Sequence, residues 1–140
     1  MFAGRASHAK HLARHRLADL FLDTLPYNAH TTASDALWAG LPVLTCRGET
    51  FAGRVAASVL QAADLPELVT ANLADYETLA LRLAQERDLL SDIKAKLARN
   101  RDTCRLFDTT TFARHIEAAY TTMWQISQRG EKPRSFDVQP

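Results

Sequence analysis

Leu20-Phe21-Leu22-Asp23, followed by Thr24-Leu25-Pro26-Tyr27-Asn28 and then His30-Thr31-Thr32-Ala33-Ser34-Asp35 leading into Ala36-Leu37-Trp38-Ala39-Gly40, reads as a strand, a short loop and the start of a helix. Apolar residues bounded by Asp19 and Asp23 indicate a buried strand, and Pro26 with Asn28 marks the turn. Thr32 and Asp35 match the N-cap and N3 positions of a helix start. A helix that begins just after a buried strand presents free N–H groups and the positive end of its dipole, a combination that favours anions. The hydroxyls of Thr31 and Thr32 add donors at the same place. A nucleotide diphosphate is the anion expected there.

Reading outward, residues 2–4 look like the tail of a strand, and Ser7 caps a short helix through Arg16 that feeds the strand at 19–23. Gly40 falls at the C′ position of the helix from Thr32, and 41–46 is the next strand, with Pro42 at its start where a missing donor is tolerated. After a turn at 47–50, residues 51–63 carry apolar side chains at helical spacing, and Leu68-Val69 is a brief edge strand. Apolar residues between 73 and 101 indicate two helical stretches meeting near Asp88, and 111–128 is a last helix with Phe112, Ile116, Tyr120, Met123 and Trp124 on one side. Short apolar strands alternating with helices specify an α/β fold with a parallel sheet of the doubly wound type. A nucleotide-binding half of that kind usually holds four or more parallel strands, whereas this sequence offers the end of one, two clear ones and an edge strand. The expectation is a lobe truncated on its N-terminal side, spanning 1–129, with 130–140 as a loose tail.

At 140 residues the chain buries one ordinary core, and its 46% hydrophobic and 24% charged residues are those of a soluble globular protein. A net charge of +1 supplies no long-range field, which argues against nucleic acid or a membrane surface as partner. No apolar stretch approaches the roughly 20 residues that span a bilayer, and Met1-Phe2-Ala3-Gly4 does not begin a signal peptide. A cytoplasmic location is the expectation. Cys46 and Cys104 lack a C-x-x-C partner, so they read as ordinary buried thiols rather than as a zinc or redox motif.

Several clusters carry two readings each. His8, His11 and His15 share a helix face suited to zinc, but Lys10, Arg14 and Arg16 crowd the same turns with positive charge, and a solvated basic helix is the plainer reading. His11 and Arg14 precede the 19–23 strand, and they reach a nucleotide base if the loop before that strand opens onto the crevice. Thr31 and Thr32 serve as a structural cap or as phosphate donors; His30 closes the loop or contacts phosphate; Asp35 completes the cap or accepts hydrogen bonds from ribose hydroxyls. Trp38 and Phe51 read as core rather than as stacking platforms. Gly48-Glu49-Thr50 is a weaker anion-facing terminus because Glu49 brings negative charge. A triad of Ser34, His30 and Asp35 is discounted because Ser34 lies inside a helical turn and not on a G-x-S-x-G elbow, and no Walker loop or G-x-G-x-x-G is present.

At these residues the chain resembles the C-terminal catalytic lobe of the O-linked N-acetylglucosamine transferases, the family 41 glycosyltransferases, in their bacterial branch. The resemblance is carried by Ala6, His11 and Arg14, by Leu17-Ala18-Asp19 running into Leu22-Asp23-Thr24, and by Asn28-Ala29-His30-Thr31-Thr32 with Asp35. It continues through Leu37-Trp38-Ala39-Gly40-Leu41-Pro42-Val43 and Gly48-Glu49-Thr50 to Arg54-Val55-Ala56-Ala57-Ser58. It covers residues 2–129, with the block 22–58 the specific part.

The resemblance implies a Rossmann-like C-terminal lobe of the GT-B type and an inverting, metal-independent transfer from UDP-N-acetylglucosamine to protein. His30, Thr31 and Thr32 would hold the diphosphate, Asp35 the ribose, and Ala6 through its backbone, with His11 and Arg14, would lie around the uracil. No residue of the chain is implied as catalytic, and no cofactor is needed. His8 stands where some relatives carry a lysine. The family's diphosphate-contacting lysine, its N-terminal lobe and the tetratricopeptide repeats that hold the acceptor protein fall outside this sequence, so the chain by itself is expected not to transfer sugar. A nucleotide-binding or interaction module without enzymatic activity, and a GT-B enzyme using another sugar, are the alternatives.

Overall fold

The computed structural model describes residues 4–138. They fall into two compact units that divide after Cys104. In the first, α1 (His8–Arg14) and a 3₁₀ turn (His15–Leu17) lead to β1 (Phe21–Leu22), followed by α2 (Thr31–Trp38), β2 (Val43–Cys46), α3 (Val55–Ala62), a 3₁₀ turn (Pro66–Leu68), β3 (Val69–Thr70), α4 (Leu73–Gln85) and α5 (Arg87–Asn100). The second holds α6 (Thr109–Gln128) and the residues after it. Among the described residues no helix is long and apolar enough to cross a membrane.

The three strands form one parallel sheet in the order β1-β2-β3. Phe21 pairs with Val43 and Leu22 with Leu44, while Thr45 pairs with Val69 and Cys46 with Thr70. All four residues of β2 are buried, the pattern of a parallel strand covered on both faces, and α2, α3 and α4 all pack against it. Small residues let the helices approach closely: Ala33, Ala36, Ala56 and Ala57 are buried with Leu37, Val43, Leu44, Leu60, Leu65 and Leu68. Both cysteines are buried and free.

Gly40 takes φ +86°. Its N–H donates to Leu37 O and that of Leu41 to Ala36 O, which closes α2 with a Schellman motif and turns the chain into β2. The two helices expected near Asp88 meet at Glu86, and the 51–63 helix is confined to α3 by the turn that precedes it. The strand tail expected at residues 2–4 lies outside the described residues except for Gly4, which has no regular structure. In the second unit Asp108 caps α6 by accepting from Thr111 N–H, and that bond holds its carboxyl below the ordinary range. Phe112, Tyr120, Met123 and Trp124 on α6 are exposed. Past Gly130 the chain has no regular structure, yet it turns back with an ion pair between Arg129 and Glu131 and a cavity shared by Met123, Ile126, Pro133 and Phe136.

Candidate functional site

At the carboxyl end of β1 the chain does not pass directly into a helix. It makes a seven-residue excursion, 24–30, that ends against α2. The excursion is held from within by Asp23, a carboxylate only 5% exposed. Its Oδ1 accepts from Thr24 N–H at 2.8 Å and from Ala29 N–H at 2.6 Å, and its Oδ2 accepts from Thr45 Oγ1 at 2.6 Å. Buried charge is costly unless donors replace its water, and three donors do so here. Thr70 Oγ1 donates to Thr45 O, and Tyr76 Oη donates to Asp23 O, so side chains link all three strands and α4 at this end of the sheet. Burial, the Asp23 charge and the nearby Cys46 raise the Tyr76 phenol above its ordinary pKa.

Within the excursion Asn28, fully buried, donates through Nδ2 to Thr24 O, and Thr24 Oγ1 donates to Tyr27 O. The Leu25–Pro26 peptide bond is cis. Asn28 N–H donates to Ala52 O, which ties this loop to the one that follows β2. The second loop closes on itself through Gly48 N–H to Gly53 O at 2.6 Å and Gly53 N–H to Thr50 Oγ1. A side chain at Gly53 would meet Gly48 Cα at 3.2 Å and Pro26 O at 3.3 Å, so the two loops touch there backbone to backbone.

The cap of α2 falls two residues earlier than the sequence indicates. His30 is its N-cap, Thr31 and Thr32 are the first two helical residues, and no side chain caps the helix. The pairing of Thr32 as N-cap with Asp35 as N3 is therefore corrected: with Ala29 N–H fixed on Asp23, the helix starts where that anchor releases the chain. The consequence strengthens the anion reading. Ala33 and Ser34 N–H donate to His30 O, while those of Thr31 and Thr32 lie in the first turn, where no intrahelical acceptor exists. Both threonines are exposed, and Asp35, half-buried, lies one turn beyond Thr31.

His30 is stacked on Tyr27, centroids 4.9 Å apart at 18°, and meets the edge of Phe51 at 6.2 Å. Its Nε2 is buried without a hydrogen-bond partner, as is Asn28 Oδ1. Two unpartnered polar atoms thus lie beside an open helix N-terminus, where a polar group from outside the chain would satisfy them. Trp38 and Phe51, expected in the core, are 50% and 76% exposed. Phe51 sits on the loop after β2, outside the sheet's core and edge-on to His30, and Trp38 ends α2 under the Arg101 guanidinium. Gly48-Glu49-Thr50 does not form a second helix terminus, since α3 starts only at Val55.

The structure thus gathers His30, Thr31, Thr32 and Asp35 at one helix start. Ala6 precedes α1, and His11 and Arg14 lie on it, both half-buried. Arg14 donates to Gly4 O, and the buried His15, in edge contact with His11, has Nδ1 3.1 Å from His11 O. Among the described residues no three His, Cys, Asp or Glu side chains converge as a metal-holding group. Sequence reasoning missed Asp23, Asn28, Thr45 and Tyr76. In the sequence Asp23 reads as a strand boundary; the signal for its role is an aspartate leading into a Pro/Asn turn, a residue type that holds backbone N–H groups in such turns.

The chain resembles known proteins over most of its length. The family model for glycosyl transferase family 41 matches residues 1–116. The chain is 37% identical over 139 residues to the probable UDP-N-acetylglucosamine–peptide N-acetylglucosaminyltransferase SEC of Arabidopsis thaliana, covering 99% of this chain and 14% of that protein. It is 37% identical over 130 residues to the UDP-N-acetylglucosamine–peptide N-acetylglucosaminyltransferase of Caenorhabditis elegans, covering 93% of this chain and 11% of that one. Among solved structures, a mutant of the Thermobaculum terrenum O-GlcNAc transferase superposes with a TM-score of 0.82 at 35% identity, covering 87% of this chain and 24% of the other. The chain spans a small fraction of the length of each of these relatives.

Proposed function

The chain belongs to glycosyltransferase family 41, and we infer that it forms the UDP-holding part of a UDP-N-acetylglucosamine-dependent protein O-glycosyltransferase. Its parallel strands and crossover helices are those of the Rossmann-like lobe of a GT-B enzyme. The observation that carries the reading is the open N-terminus of α2, where the free N–H groups and exposed hydroxyls of Thr31 and Thr32 stand at the carboxyl end of a parallel sheet, the end at which such folds bind nucleotides.

In this reading the α2 terminus, Thr31, Thr32 and His30 receive the diphosphate. Asp35, on the same helix one turn on, accepts hydrogen bonds from the ribose hydroxyls. Ala6, His11 and Arg14 surround the uracil, a role that rests on the family resemblance. Transfer to a protein hydroxyl by direct displacement inverts the anomeric carbon and releases UDP, whose developing charge needs stabilisation. N–H donors, hydroxyls and a helix dipole supply it without a divalent cation, each donor contributing on the order of 3 kcal/mol in a transition state. Acceptor protein and sugar ring are served by the rest of the enzyme, of which this chain corresponds to about one seventh in the Arabidopsis relative.

Titration of the 140-residue chain with UDP, against GDP as control and followed by amide chemical shifts, tests this reading. Selective shifts at Thr31, Thr32 and Asp35, weakened in Thr32→Val and Asp35→Ala, are expected. A folded chain unresponsive to millimolar UDP, or one that answers GDP equally, would refute it.

A further inference from the structure

The role of Asp23 follows from what its carboxylate joins. The N–H groups of Thr24 and Ala29, which bracket the excursion, both donate to Oδ1, so one oxygen closes the loop on itself. Oδ2 takes the hydroxyl of Thr45, which pins that closed loop to the central strand. His30 follows Ala29 directly and is the N-cap of α2. The α2 terminus therefore starts one peptide bond beyond Ala29, the residue whose N–H Asp23 anchors to the sheet. An aspartate there does what no apolar residue at the end of a buried strand would do: it gathers donors from two loop positions and from a neighbouring strand.

We propose that Asp23, locked by Thr45, is a positioning residue for the diphosphate: it never touches ligand, and it holds the free N–H groups of Thr31 and Thr32 where two phosphates can be met together. The proposal rests on the UDP reading above. It differs from a general stabilising role because it acts on the phosphate end of the ligand alone; α1, which carries His11 and Arg14, is not tied to Asp23 by any of these bonds.

The test compares UDP with UMP on the same protein. Wild type binds UDP more tightly than UMP because the second phosphate gains donors at the α2 terminus. In Thr45→Val, which keeps both loop N–H bonds but leaves Oδ2 without its donor, UDP affinity falls roughly tenfold, the loss expected when the displaced α2 terminus forfeits one N–H bond to a charged phosphate, while UMP affinity changes far less. Thr45→Ser, which restores the hydroxyl, recovers the UDP preference; Asp23→Asn retains part of it, and Asp23→Ala, if folded by its amide spectrum, abolishes it. Equal losses for UDP and UMP in Thr45→Val, or an unchanged preference, would overturn the proposal. Wild type that binds neither nucleotide would instead overturn the functional reading on which it stands, an outcome visible before any variant is made.

Discussion

Gly53→Ala separates the contact between the two loops from everything else in the fold. The added Cβ lies 3.2 Å from Gly48 Cα, 3.2 Å from Thr50 Oγ1 and 3.3 Å from Pro26 O. Thr50 can rotate away, but the other two atoms are backbone and cannot yield without moving a loop. Separation by a few tenths of an ångström weakens the bonds from Gly48 N–H to Gly53 O and from Asn28 N–H to Ala52 O. Overpacking of this kind, with the two hydrogen bonds weakened but not lost, costs about 2 kcal/mol. For a chain of this length that lowers Tm by roughly 8 °C in a thermal scan followed by circular dichroism. Because Asn28 shares the loop that ends at His30, UDP affinity falls in the same variant, as read by amide-shift titration. A variant within about 1 °C of wild type, well below that shift, with unaltered UDP binding, would show that the loops do not constrain one another and would remove the physical basis for the site geometry described here.

Three other substitutions probe single features. Gly40→Ala meets no atom within 4 Å, so its cost is purely the left-handed backbone at φ +86°; about 1–2 kcal/mol is lost in chemical denaturation, while UDP affinity stays as in wild type. Tyr76→Phe removes the hydroxyl bond to Asp23 O and costs about 1 kcal/mol. The same tyrosine has its pKa raised on folding, so its contribution is complete below the unfolded value of about 10 and is lost as pH rises through the higher folded value; denaturation midpoints measured up to that range fall for wild type more than for Tyr76→Phe. Asp108 behaves in the opposite sense. Its folded pKa is lowered by the Thr111 N–H, so the cap is intact above the unfolded carboxyl value and is lost as pH falls through the lower folded one; wild type is expected to lose α6 helicity in acid by circular dichroism, and Asp108→Asn is expected not to show that acid-dependent loss.

Much of the fold was legible along the chain because the signals are local. A buried parallel strand shows as an apolar run, as at Val43-Leu44; a helix stop shows as glycine, as at Gly40; and the order strand, loop, helix follows from such punctuation in sequence. The clustering of His30, Thr31, Thr32 and Asp35 at one helix start was legible for the same reason, since all four lie within six consecutive residues. The register of that helix was not. Thr32 carries the better capping side chain, yet α2 starts after His30, because Asp23 holds Ala29 N–H from outside the helix, and a bond from the end of β1 outweighs a local preference worth about 1 kcal/mol.

What the sequence by itself determined is the alternation of elements, the family of the site and the residues at its helix terminus, all functions of short-range pattern. Only the tertiary structure decided which groups build that terminus into a site. Thr45 reaches Asp23 across 22 residues, Tyr76 across 53, and Phe51 meets His30 from the loop after a different strand. Such contacts depend on two strands being laid side by side in a parallel register, and nothing in either segment's own periodicity encodes which side chain of one will face which side chain of the other.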